Sequence, residues 1–195
     1  MNKIFKDNKG VTLVEVIVVI LIITIFSGIM ISDFPRIRRQ FAISRTVYRF
    51  SQDVRRVQNL ALSGVFLEVD GIPVKTKGYG IYMNLVGNRK QYIIYADTQY
   101  ADGKFSYTPG EYPYGDYIIE AAQVDTDSPD VSIDSLSGVG GSSVSIEFVP
   151  PNPTTVITPL LSDKDRVEII FALDSDSTET RVVSVNKLGL IQIIK

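Results

Sequence analysis

One carboxylate, Glu15, stands in an otherwise uncharged aliphatic run from Val11 to Ile31. At bilayer depth a carboxylate costs on the order of 2–3 kcal/mol, and less near the interface. A charge kept in such a place marks a functional position by default. Other constellations carry less chemistry. Asp97, Asp102, Glu111 and Asp116 lie in a polar, Tyr-rich stretch whose oxygens could hold Ca²⁺, but their spacing is not that of an EF-hand, and a solvated loop is the expectation. Asp125, Asp127 and Asp130 form a second acidic cluster beside Pro129 with the same reading. Ser184-Val185-Asn186-Lys187 matches the S-x-x-K pattern of some serine hydrolases. That chemistry needs Ser and Lys on one helix face, whereas the alternation around Ser184 is that of a strand. Gly138-Val139-Gly140-Gly141 precedes a strand and lacks the helix N-terminus that would bind phosphate.

The elements that hold these residues follow from patterning. As a helix, the run from Val11 to Ile31 spans roughly 31 Å at ~1.5 Å per residue, about one bilayer core. Gly28, Ser32 and Pro35 then weaken the helix, and Pro35 is the expected kink. Between Arg36 and Ser63, Ile43, Val47, Phe50, Val54, Val57 and Ala61 recur in steps of three and four, an apolar stripe. Gly64 is placed to end that helix. Arg38, Arg45, Arg49, Arg55, Arg56 and Asp53 occupy its other faces, expected to be solvated.

Beyond Gly64, strands are expected at Val65–Val69, Tyr79–Val86, Gln91–Asp97, Tyr117–Val124, Val144–Val149, Arg166–Leu173, Arg181–Asn186 and Leu190–Ile194. A hairpin turn is expected at Gly87-Asn88-Arg89-Lys90. The fold class is α+β: a long N-terminal helix packed on an antiparallel, sandwich-like β domain. The expected divisions are residues 1–10, 11–35, 36–64 and 65–195.

Lys9-Gly10 followed by Val-Thr-Leu-Val-Glu and a long aliphatic run resembles the type IV prepilins. The resemblance implies a leader over residues 1–10, cut by a prepilin peptidase between Gly10 and Val11. It also implies N-methylation of Val11, where the family usually has Phe, and an assembly role for Glu15. The new α-amino group, on the same or a neighbouring subunit, would pair with Glu15. Globular domain outside and leader inside is a further implication, since Lys3, Lys6 and Lys9 before the run and Arg36, Arg38, Arg39 and Arg45 after it leave the positive-inside rule undecided. An ordinary secretory signal has a shorter apolar core followed by a small-residue cleavage site, and neither feature is present.

The second half is similar to the GspH/FimT-like minor pilins and pseudopilins. The similarity rests on Phe50–Ala61, Tyr79-Gly80-Ile81, Ile94-Tyr95-Ala96-Asp97, Gly110-Glu111, Ile146-Glu147-Phe148 and Arg181–Val185 leading to Gly189. Members that serve DNA uptake carry a basic strand after that Gly. Here Leu190–Ile194 is apolar, which argues against nucleic acid as a partner.

Composition narrows the classes. The 195 residues hold no Cys and no His, so disulfides, thiol chemistry and the commonest general base and zinc ligand are missing. Net charge is −2, which gives no basic domain for general nucleic-acid binding. The expectation is a non-enzymatic structural minor pilin or pseudopilin of a type IV pilus or type II secretion-like machine, without cofactor or metal. Its expected partners are the prepilin peptidase, other pilins or pseudopilins, an assembly platform and the cytoplasmic membrane, which it would cross once. The alternative is a pilus-borne binding module for DNA or a surface ligand, for which Tyr100, Tyr107, Tyr112 and Tyr114 are the available aromatic patch.

Overall fold

The computed structural model describes residues 10–64, 66–98, 104–110, 112–124, 130–150 and 154–194, with the side chains of residues 32 and 33 undescribed. It divides into two compact units, residues 10–38 and 39–194 within that range. One helix, α1 (Leu13–Ser63), begins in the first and ends in the second. The helix runs continuously through Pro35, the position of the expected kink. Proline removes one backbone donor, a local loss that the intact hydrogen bonds of the neighbouring turns tolerate.

In the first unit the helix is apolar all round. Its side chains from Leu13 to Ile31 are exposed, and it is long and apolar enough to cross a membrane. Arg38 lies over the Phe34 ring, 5.1 Å from its centroid. That cation–π contact places a guanidinium just past the end of the apolar run.

In the second unit the helix becomes one-sided. Ile43, Val47, Phe50, Val54, Val57 and Ala61 are each at most 1% exposed, so every member of the stripe is core. Gly64 takes φ +58°, the left-handed conformation that ends a helix at least cost to Gly.

The helix packs on antiparallel sheets. A short hairpin joins β1 (Leu67–Val69) and β2 (Ile72–Val74). The remaining strands are β3 (Gly78–Asn84), β4 (Gln91–Asp97), β5 (Tyr117–Gln123), β6 (Val131–Ser137), β7 (Ser143–Val149), β8 (Thr154–Thr158), β9 (Arg166–Leu173), β10 (Asp176–Asn186) and β11 (Ile191–Ile194). They form a five-stranded sheet in the order β5-β4-β3-β7-β8 and a four-stranded sheet in the order β11-β10-β9-β6. Three strands were not expected from sequence, β2, β6 and β8. Pro73 lies within β2, and β6 and β8 each follow a polar, Pro-containing stretch that reads as loop.

Phe50 joins the layers. Its ring meets Tyr92 of β4 edge-on at 5.0 Å and Phe171 of β9 at 5.3 Å, so one helix residue touches both sheets. Such aromatic pairs contribute about 0.5–1.5 kcal/mol beyond area burial. The β3–β4 turn ties the sheets again: the Arg89 guanidinium donates to the Ile133 carbonyl at 3.1 Å and to the Asp134 carboxylate at 3.1 Å. The helix faces expected to be solvated are partly spent on the domain. Arg56 pairs with Glu120 at 2.7 Å, and Asp53 accepts the Tyr92 hydroxyl. Gly189, at φ +77°, lies under the helix, where a Cβ would come within 2.7 Å of Gln58.

Candidate functional site

Two places in the chain concentrate polar groups against their surroundings. The first is the start of α1. Thr12-Leu13-Val14-Glu15 is the T-x-x-E pattern of a capping box, and the structure forms it. The Glu15 amide donates to Thr12 Oγ1 at 3.3 Å. In return, the Thr12 amide and hydroxyl both donate to Glu15 Oε2, each at 2.9 Å. The Thr12 carbonyl accepts from the Val16 amide at 3.3 Å, the first turn of the helix. The carboxylate therefore has two donors inside its own chain and also lies at the positive end of the helix dipole. Gly10 and Val11 precede the cap in a non-helical backbone, both exposed, and a Cβ at Gly10 would meet nothing within 4 Å. Among the described residues nothing packs against the bond between Gly10 and Val11.

The second place lies on the face of the five-stranded sheet turned away from the helix. Strand alternation sends Tyr79, Ile81 and Met83 into the main core and leaves Gly78, Gly80 and Tyr82 on the other face. Gly80 pairs with Tyr95 on one side and Glu147 on the other. Having no side chain, it lets the Tyr95 ring lie across it: a Cβ there would come within 2.4 Å of that ring. The Tyr95 hydroxyl reaches Glu147 Oε2 at 3.3 Å and Ser145 Oγ at 2.5 Å.

Residues 104–110 cover this layer. Tyr107 packs on Tyr82 at 4.7 Å and on Tyr95 at 5.2 Å, and its amide donates to Ser145 Oγ at 3.2 Å. Asp116 pins both ends of the segment it closes, accepting the Thr98 amide at 3.0 Å and the Thr108 amide at 2.7 Å. Beneath it, Lys77 Nζ pairs with Asp97 Oδ2 at 3.0 Å.

Three carboxyls, Asp97, Asp116 and Glu147, are each at most 1% exposed around one lysine. Their electrostatics follow from that burial. Desolvation first, then the neighbouring Asp97 carboxylate, push Glu147 up to about 9. Glu147 therefore keeps its proton near neutral pH. Burial raises Asp116 to about 6, opposed by its two amide donors. Tyr95 is raised well above the usual phenol range by burial and by the Glu147 charge.

Asp97 and Asp116 are thus brought together, but as anchors for Lys77 and for backbone amides. Asp102 and Glu111 of the same expected calcium loop lie outside the described residues, as do Tyr100, Asp125, Asp127 and Pro129. Among the described residues, no group of three Asp or Glu is arranged to hold a metal ion. Of the aromatic patch, Tyr107 is spent on stacking, Tyr112 packs on Tyr117 at 6.2 Å, and Tyr114 is exposed. Ser184 is buried in β10 while Lys187 lies in the turn after it, so the two share no helix face.

Sequence reading missed Lys77 and Glu147. The available signal was Gly78-Tyr79-Gly80, two glycines on one face of a strand, which mark room for something large opposite.

Compared with known proteins, the chain matches the prokaryotic N-terminal methylation motif over residues 5–31. That match supports a type IV prepilin-like protein, with processing by prepilin peptidase and assembly with other pilins as what the motif implies. The apolar helix agrees with anchoring in a membrane. No curated protein and no solved structure matches the chain.

Proposed function

We propose that the chain is a minor pilin or pseudopilin, a non-enzymatic structural subunit of a type IV pilus or a type II secretion-like machine. Its branch is GspH/FimT-like. The observation that carries this reading is a coincidence of position. The methylation motif ends with the apolar run, and the open Gly10–Val11 bond lies directly before the Thr12–Glu15 cap.

In this reading, prepilin peptidase cuts after Gly10 and Val11 becomes the methylated N-terminus. The helix anchors the subunit in the cytoplasmic membrane in a single pass, with the β domain outside. Before assembly, Thr12 satisfies Glu15. In the filament, the α-amino group of an incoming subunit offers Glu15 a full opposite charge, which a hydroxyl and an amide do not. Exchange of one partner for the other couples charge pairing to incorporation.

The test is the share of the protein in sheared filaments, or co-purifying with other pilins, at equal membrane levels. Glu15→Val should keep membrane insertion and lose incorporation, with Glu15→Asp between. Incorporation of Glu15→Val equal to the wild type would remove the pairing role. Intact mass of membrane-extracted protein should also show loss of Met1–Gly10, blocked by Gly10→Val.

A further inference from the structure

Lys77, Asp97 and Glu147 meet in a manner that an ordinary surface ion pair does not. The Lys77 and Asp97 side chains are only 9% and 1% exposed, and Nζ lies 3.0 Å from Oδ2. The pair is held in register from both sides, because the Lys77 amide also donates to the Asp97 carbonyl at 2.8 Å. Lys77 Nζ further donates to the Lys104 carbonyl at 2.5 Å and lies 5.4 Å from the Phe105 ring centroid, so the covering segment closes over the amine. Glu147 of β7 is fully buried in the same layer, where it accepts the Tyr95 hydroxyl at 3.3 Å, and the nearby Asp97 carboxylate disfavours its charge. Gly78 makes room for it, since a Cβ there would come within 2.7 Å of Glu147 Oε1. Tyr95 from β4 and Asp116, which accepts the Thr108 amide of the covering segment, also face the group. The result is a nucleophile, a carboxyl carbon and a proton-bearing acid in one water-excluded layer.

We propose that this layer is a self-condensation site, in which Lys77 Nζ and Asp97 Cγ join in an amide bond with Glu147 as the acid. The ammonium first gives a proton to the Asp97 carboxylate, leaving an amine beside a neutral acid. The Nζ lone pair attacks Cγ. The Glu147 hydroxyl hydrogen-bonds the carboxyl oxygen on which negative charge develops, then gives its proton to the departing hydroxyl, which leaves as water. The remaining surplus proton on nitrogen returns to the Glu147 carboxylate. One ammonium and one carboxylate become one amide and one water, no electron is transferred, and Glu147 ends as it began.

Two physical arguments support the step. Fixed geometry removes the entropy of bringing amine and acid together, which is the main cost of such a reaction in solution. Exclusion of water favours the amide over its hydrolysis and strengthens each electrostatic contact. An isolated buried charge pair, by contrast, returns little for its desolvation. The product would lock β3 to β4 at the end of the sheet that the covering segment closes.

The experiment is intact-mass measurement and peptide mapping of the full chain, extracted in detergent. The wild type should be lighter by one water than its sequence requires once any leader loss and N-methylation are allowed for, with the Lys77 and Asp97 peptides recovered as one branched species. Lys77→Arg keeps the charge without the nucleophile and should restore the full mass. Glu147→Gln keeps the shape without the acid proton and should do the same, with both variants checked for wild-type circular dichroism. Separate Lys77 and Asp97 peptides from the wild type would overturn the linkage whatever the variants do. A water loss that persists in Lys77→Arg would assign it elsewhere, for example to an Asp-Gly step, and also overturn it. A linked Glu147→Gln protein would overturn the assignment of Glu147 as the acid.

Discussion

The hydroxyl of Tyr95 reaches Glu147 at 3.3 Å across Gly80, the residue that separates them in the sheet. The contact exists because the middle strand has no side chain at that point. Gly80→Ala would place a methyl group within 2.4 Å of the Tyr95 ring. The ring must then leave its place between Tyr107 and Ser145, and overpacking of this kind costs roughly 1–3 kcal/mol. Urea unfolding should show that loss. A wild-type midpoint in Gly80→Ala would mean that the ring moves freely and the layer is loosely packed.

Glu147 and Asp116 set a pH dependence, which is cleanest in Lys77→Arg, where no amide can form. Glu147 is raised from 4.5 to about 9 and Asp116 from 3.8 to about 6. Each folded group binds its proton more tightly than the unfolded chain does, so each contribution is complete below its unfolded value and is lost as pH rises through the folded one. Thermal stability of Lys77→Arg should therefore fall between about pH 4 and pH 9. Adding Glu147→Gln should flatten the upper part of that slope, because the amide does not titrate. An unchanged slope would place the proton on another group.

Asp116 offers a local test of the covering segment. Its two carboxylate oxygens accept the Thr98 and Thr108 amides. Asp116→Asn turns one acceptor toward a donor, at a cost of about 1–3 kcal/mol. Cleavage by a broad-specificity protease between residues 98 and 116 should accelerate, while the sheets stay intact. Equal cleavage rates in variant and wild type would show that stacking of Tyr107 is enough to hold the segment.

Thr12→Ala removes the side-chain acceptor of the Glu15 amide and one of two donors to its carboxylate. Loss of an N-cap costs about 0.5–2 kcal/mol. In detergent micelles, amide exchange at Glu15 and Val16 should quicken in Thr12→Ala and stay near wild type in Thr12→Ser. Exchange that is the same in all three would remove Thr12 from the cap.

A fragment of residues 37–195 should be soluble and melt cooperatively. It keeps the helix from Arg39 onward with its buried stripe and both sheets, which form one cluster of buried side chains. Circular dichroism and size-exclusion chromatography decide this. An aggregated or non-cooperative fragment would show that residues 1–36 are needed for the fold.

The parts legible in the sequence are those governed by neighbours along the chain. A stripe in steps of three and four determines which helix face is buried, since that period is the geometry of the helix itself. T-x-x-E before an apolar run is a local signal of the same kind, because both reciprocal bonds lie within four residues, although the sequence reading of Glu15 is only that of a charge in the apolar run, with no role for Thr12. Strands Gln91–Asp97 and Arg166–Leu173 were readable to the residue, bounded as they are by turn residues. The buried layer was decided only by tertiary structure. Lys77, Asp97 and Glu147 come from three separate places in the chain, and in sequence Glu147 between Ile146 and Phe148 has the alternation of a solvent-facing residue. What buries it is the register that sets Gly80 between Tyr95 and Glu147, and a covering segment that folds back over the sheet. Neither is encoded in any local period, because the free energy that fixes them comes from contacts between residues far apart in sequence.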